Sequence, residues 1–164
     1  MRILIASDHA GFDYKEMLGE RARDTGHDVL DLGPVNRNAV DYPDFAHDLA
    51  RALIAGKGDL GVLICGTGIG MSMAANRHRG VRAALCHDAF TAEYARRHNN
   101  ANVLCIGGRT TGPGVAVQIL DIFLATPFEG GRHERRVEKI EMEQGPGNRT
   151  QGTLPPAPGK EQHS

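Results

Sequence analysis

The sequence predicts an α/β protein, a three-layer α/β/α domain built on a five-stranded parallel sheet. Three observations carry this expectation. Apolar runs of strand length recur at 2–6, 28–32, 60–65, 81–86 and 102–106. Longer stretches with helical spacing lie between them, as with Phe45, Leu49, Ala52 and Leu53. The runs themselves, Leu60 to Cys65 for example, are apolar throughout instead of alternating. A strand covered by helices on both faces has no solvent side to make polar, and strands separated by helices pair in parallel through crossovers. The alternation is Rossmann-like.

The chain has 164 residues, 40% of them hydrophobic, enough to bury one core. We place a single domain at 1–141 and a polar tail at 142–164. From about Gly145 the tail is Pro, Gly, Gln and polar residues with little to bury, so its ordering entropy is not offset and disorder is expected. Asn148 to Thr150 fits a glycosylation acceptor, but Met1 to Ser7 runs into an acidic residue without a secretory cleavage site, so the match is read as accidental. The formal net charge of −1 supplies no global field for nucleic acid or an anionic membrane, and no apolar run is long enough to cross a bilayer. A cytoplasmic protein with a small-molecule partner is expected.

Cys65, Cys86 and Cys105 are an odd count without a CxxC pair, which argues against a disulfide framework or a zinc ribbon. No metal site is assigned. Each cysteine ends or nearly ends an apolar run, and Cys86 and Cys105 are read as small buried side chains.

In open parallel sheets the ligand crevice lies beyond the carboxyl ends of the strands. The segments there are Ser7 to Gly11, Gly33-Pro34 leading to Asp41-Tyr42-Pro43, Cys65 to Gly70, His87-Asp88, and Gly107-Gly108-Arg109. The third is the most informative. Gly66, Thr67, Gly68, Ile69 and Gly70 join a buried strand to a helix beginning around Met71, where glycines admit close approach and free amides favour negative charge. The spacing fails the dinucleotide fingerprint, because Met71 stands where the third glycine would have to lie beyond Gly70, and the absence of Gly-Lys-Ser/Thr excludes a P-loop. Cys65 immediately precedes these amides, a setting in which a thiolate can serve as a base.

Asp8 and His9 follow the first strand and suit sugar hydroxyls or a phosphate, although Asp-His also occurs as a plain helix cap. His98 and Asn99 end the helix before the fifth strand, where both residue types are also at ease as C-terminal residues. The last helix of the sheet is expected near 113–125, and a short terminal helix over 132–140 should pack on the domain. Within it Arg132 and Arg136, four apart, would share one face and suit a phosphate, or form a solvated face with Glu134 and Glu138. Arg109 is a third cation past the fifth strand.

Taken together, Ser7 to Gly11, Asp41 to Pro43, Cys65 to Gly70, Ala74-Ala75-Asn76, Arg97-His98-Asn99 and Gly131 through Arg136 resemble the type B ribose-5-phosphate isomerases, relatives of the galactose-6-phosphate isomerase subunits. The resemblance runs over roughly 1–141. It implies conversion of ribose 5-phosphate to ribulose 5-phosphate through an enediolate, in the non-oxidative pentose phosphate pathway, without metal or organic cofactor. By position it makes Cys65 the base and the amides of 66–70 the oxyanion site, with His98 opening the sugar ring and Asp8 and Thr67 near the reacting end. His9, Arg109, Arg132 and Arg136 would hold the phosphate, and Asn99 the sugar oxygens. It further implies a homodimer in which His98, Asn99 and Arg109 face the other chain's Cys65 loop. Some relatives use a carboxylate just after the last loop glycine; here Met71 stands there and cannot take a proton. Two other readings remain open: an isomerase of six-carbon phosphosugars such as allose or galactose 6-phosphate, and a non-catalytic phosphosugar-binding module.

Overall fold

The computed structural model describes residues 1–141; the polar tail at 142–164 lies outside the described residues. Five strands form one parallel sheet: β1 Arg2–Ser7, β2 Asp28–Asp31, β3 Leu60–Cys65, β4 Ala83–Leu85 and β5 Val103–Gly107. Their spatial order is β2-β1-β3-β5-β4, and all pairs are parallel. The connecting helices are α1 Phe12–Asp24, α2 Tyr42–Ile54, α3 Ile69–Ala75, α4 Ala89–Asn99 and α5 Pro113–Ala125, followed by α6 Glu134–Ile140.

Alternate residues of each central strand feed two separate cores. Ile3, Ile5, Val62, Ile64, Leu104 and Ile106 meet Leu18 of α1, Ala92 of α4 and Ile119 and Phe123 of α5. Leu4, Ala6, Leu63, Cys65, Val103 and Cys105 meet Leu49 of α2 and Met71 of α3. All six residues of β3 are buried, which is why that run is apolar throughout. Gly61 is the exception in size: a Cβ there would come 2.6 Å from Leu49 Cδ2, so α2 lies directly on the strand.

The edge strands depart from the continuous apolar pattern for a physical reason. β2 is mostly exposed and bounded by aspartates: Asp28 pairs with Arg2 at 2.6 Å, and Asp31 with the buried Lys15 of α1. Lys15 also donates to the Pro34 carbonyl at 3.0 Å. β4 spans three residues, shorter than the expected 81–86. Its Ala83 N–H and carbonyl are both bonded at 2.8 Å by the Asn76 amide, which blunts the open edge.

The terminal segment differs from a single helix over 132–140. Gly130 and Gly131 take positive φ of 68° and 56°, and Gly131–His133 forms a 3-10 turn before α6 begins. Arg132 lies in that turn and Arg136 in α6, and both guanidinium charges act on the buried His133. α6 buries none of its residues; the segment is held by the buried His133 at one end and by Glu141, bonded to Arg82 Nη1 at 2.7 Å, at the other.

Gly11 is the tightest point between the first loop and the sheet, since a Cβ there would sit 2.5 Å from the Ile64 carbonyl oxygen. Gly11→Ala is expected to destabilise the domain by about 1–3 kcal/mol through overpacking against backbone, read as a lowered urea midpoint at unchanged m-value.

Candidate active site

β1 and β3 lie side by side, yet their onward connections leave in opposite directions, β1 to β2 on one side and β3 towards β4 on the other. This switch point opens a crevice at their carboxyl ends. Cys65 ends β3 there, 5% exposed. Gly68 adopts φ 75°, and a Cβ at that position would meet Leu85 Cδ1 at 2.5 Å and the Ile106 backbone at 3.0 Å. Only glycine fits, and the turn it makes aims the Gly68 N–H at Cys65 Sγ, 3.1 Å away. α3 starts at Ile69, two residues earlier than its sequence suggests. Thr67 is exposed, and its Oγ1 lies 3.4 Å from the Ile69 amide. The Tyr42 ring covers Gly70, where a Cβ would come within 2.6 Å of it.

Asp8 is 7% exposed, its amide bonded to the Ile64 carbonyl at 3.0 Å and its carboxylate to the Gly11 amide at 2.9 Å. It therefore is a cap, as the plain reading had it, and that cap fixes it beside β3. His9 is exposed, with Nδ1 3.4 Å from the Val40 amide. Past β5, the Gly108 amide bonds the Cys65 carbonyl at 2.8 Å and the Arg109 amide bonds the Gly66 carbonyl at 3.0 Å. The Arg109 side chain lies over Gly66, 3.5 Å from where a Cβ would stand. Asp8, His9, the Cys65 to Gly70 loop and Arg109 thus share one edge of the sheet.

His98 and Asn99 lie at the other edge. α4 runs back along the sheet, so its last turn falls beside the start of β5, where Val103 pairs with Gly61; Cys65 pairs with Gly107 at the far end. Four strand residues separate the two ends, about 13 Å of sheet. Arg132 joins His98 at this edge, because His133 stacks on His98 with centroids 4.0 Å apart and planes 10° apart. The expected grouping of Arg109 with His98 and Asn99 is corrected: β5 delivers Arg109 to the edge where β3 delivers Cys65, so it sits on its own chain's loop. Asn99 lines a cleft of about 770 Å³ with Arg82, His78 and Ile140. Cys65 is not part of that cleft.

Two residues that sequence reasoning passed over complete the second cluster. Glu129 Oε2 accepts from Arg97 at 3.0 Å and lies 3.8 Å from His98 Nε2, while Oε1 is 4.0 Å from His133 Nε2. The hydrogen bond from Arg97 holds the Glu129 carboxyl below its ordinary range. Burial, with the neighbouring His98 and Arg132, pushes the His133 imidazole down. Arg132 Nε reaches His133 Nε2 at 3.3 Å, which suits a neutral ring accepting there. A signal did exist, since His133 falls within the Gly131 to Arg136 motif, but Glu129 reads in sequence only as part of a glycine linker.

His98, Glu129 and His133 offer metal-ligand atoms within 4.8 Å of one another. Near-parallel rings, however, direct their lone pairs along parallel planes instead of towards one point, and Arg97 and Arg132 already occupy the carboxylate and the His133 nitrogen. The cluster suits sugar oxygens or an anion better than a dication.

A thiol held against a glycine-loop amide at the switch point of a doubly wound parallel sheet defines the class: an α/β protein whose crevice offers backbone donors to negative charge. Comparison with known proteins narrows this. Residues 3–140 match the model of the Ribose/Galactose Isomerase family, and the chain belongs to that family. Ribose-5-phosphate isomerase B of Escherichia coli K12 is 41% identical over 139 residues, 85% of this chain and 93% of that one. Among solved structures, ribose 5-phosphate isomerase RpiB of Thermotoga maritima is 50% identical with a TM-score of 0.83, covering 85% of this chain and 97% of that one. The type B enzyme of Trypanosoma brucei is 48% identical, also at 0.83, covering 85% and 96%.

The three thiols differ sharply in setting. Burial pushes Cys86 up to about 11 and raises Cys105, which is fully enclosed, well above its ordinary value. Neither will be thiolate near neutral pH. Iodoacetamide is expected to label Cys65 first, and a bound phosphosugar should slow that labelling; mass spectrometry showing equal labelling of all three would remove the distinction.

Proposed function

We propose that this chain is a cofactor-independent aldose–ketose isomerase interconverting ribose 5-phosphate and ribulose 5-phosphate, a step of the non-oxidative pentose phosphate pathway. The observation that carries the mechanism is the Gly68 amide 3.1 Å from Cys65 Sγ. That amide is a fixed donor aimed at the sulfur beside the loop where the sugar would lie, so Cys65 serves as the base. The thiolate removes the proton on C2 of the open-chain aldose, the electron pair passes to the C1 carbonyl, and the amides of Gly66, Thr67, Gly68, Ile69 and Gly70 stabilise the enediolate oxygen. The hydroxyl proton on O2 passes to O1 and Cys65 returns its proton to C1, so the carbonyl now stands at C2 and the product is the ketose. Asp8 and Thr67 hold the hydroxyls at the reacting end, and Asn99 binds sugar oxygens.

His98 opens the furanose ring, and His9, Arg109, Arg132 and Arg136 bind the phosphate. A site containing both Cys65 and His98 needs two chains, since the sheet of one chain separates them. A homodimer is also supported by the apolar side chains left outside: Ile69 51%, Met73 57% and Phe90 66% exposed on α3 and α4. The phosphate ligands then come from both chains, His9 and Arg109 from one edge, Arg132 and Arg136 from the other. Three buried free cysteines accord with a reducing cytoplasm.

Six-carbon phosphosugars are the alternative substrates, and turnover of ribose 5-phosphate beside allose 6-phosphate and galactose 6-phosphate decides between them. Cys65→Ala is expected to lower turnover by about 10²–10⁴-fold while leaving phosphosugar binding measurable. A binding module would lose nothing. Mixing inactive Cys65→Ala with inactive His98→Ala protein should restore part of the activity, because one site of the heterodimer keeps both groups. No recovery under demonstrated subunit exchange would place both residues' action within one chain.

A further inference from the structure

We propose that Glu129 is a positioning residue for His98: its carboxylate, anchored by Arg97, faces the Nε2 edge of the imidazole and leaves Nδ1 to exchange protons with the sugar. The proposal rests on the assignment of ring opening to His98.

Packing fixes the plane of the His98 ring but not its direction. Tyr94 meets it edge-on at 4.7 Å and His133 lies parallel at 4.0 Å, two apolar flanks that an imidazole flipped about its long axis would satisfy equally well. A carboxylate at one edge removes that ambiguity by favouring an N–H towards itself. Glu129 is the residue so placed, with Oε2 3.8 Å from His98 Nε2. It is tied to the same turn of α4 that carries His98, by its side chain to Arg97 Nε at 3.2 Å and Nη2 at 3.0 Å and by its amide to the Arg97 carbonyl at 3.0 Å. His133 does not compete for the carboxylate as a cation, because its Nε2 already faces the Arg132 guanidinium.

Opening a furanose moves one proton from the C1 hydroxyl to the ring oxygen, while the bond from C1 to the ring oxygen breaks and the C1 carbonyl forms. His98 Nδ1 takes the first proton and returns it to the departing oxygen, so no co-reactant is required. Between the two transfers the ring is an imidazolium. The charged groups of its cluster are Glu129 with Arg97 of α4, and Arg132 and Arg136, which act on the stacked His133. With Glu129 neutral, that cation would face guanidinium groups.

Ribulose 5-phosphate provides the test, because its 5-oxygen carries the phosphate and it has no furanose to open. Wild type, Glu129→Gln and Glu129→Asp, all as full-length chains, are compared in ribose 5-phosphate turnover and in solvent deuterium incorporation at C1 of ribulose 5-phosphate. Glu129→Gln should lower kcat on ribose 5-phosphate about 10-fold, a part of the general acid–base contribution, with KM and deuterium incorporation each within about 2-fold. Glu129→Asp should recover most of the loss. Equal loss of turnover and deuterium incorporation would mean a structural role and overturn the proposal, as would an unchanged kcat. His98→Ala run alongside tests the underlying assignment separately: wild-type turnover of ribose 5-phosphate in that variant would show that His98 does not open the ring.

Discussion

Burial of β3 is the constraint on which the remaining structure depends. The strand is flanked by β1 and β5 and covered on both faces, so all six of its residues are buried and its backbone groups bond to the neighbouring strands. Parallel neighbours oblige each connection to cross the sheet as a helix. All strand-to-helix loops then fall at one edge and all helix-to-strand loops at the other. The glycines follow from the same closeness: Gly11 rests on the Ile64 carbonyl, Gly61 admits α2, and Gly68 turns between Leu85 and the backbone of β5.

That polarity also distributes the chemistry. Asp8, the thiol loop and Arg109 end strands, whereas His98 and Asn99 end a helix, so they are delivered to opposite edges. A chain obeying the rules of a parallel sheet keeps these groups at opposite edges of its own sheet.

The two edges differ in how they manage charge. At the thiol edge backbone dipoles positioned by glycine geometry face the sulfur and favour negative charge there. At the histidine edge charge is managed by side chains, in a chain of contacts running from Arg97 through Glu129 to His98 and His133, and on to Arg132. Burial pushes the His133 imidazole down and the hydrogen bond from Arg97 pushes the Glu129 carboxyl down, so both shifts favour the deprotonated form, one neutral and one anionic.

The sequence by itself determined the strands, the three layers and the thiol loop, because burial on both faces writes itself as unbroken apolar runs and tight approach as glycine. Cys65, Asp8 and Gly68 were legible for that reason, each lying within a few residues of a strand end. The edge strands were less so: β2 and β4 are short and partly wet, and the lysine buried under β2 looks in sequence like any charged helix residue. Tertiary structure alone decided that Arg109 joins the Cys65 loop and that Glu129 and His133 close around His98. These are contacts between residues about 30 to 45 positions apart whose partners are set by which edge of the sheet each segment reaches, and local pattern carries no record of that.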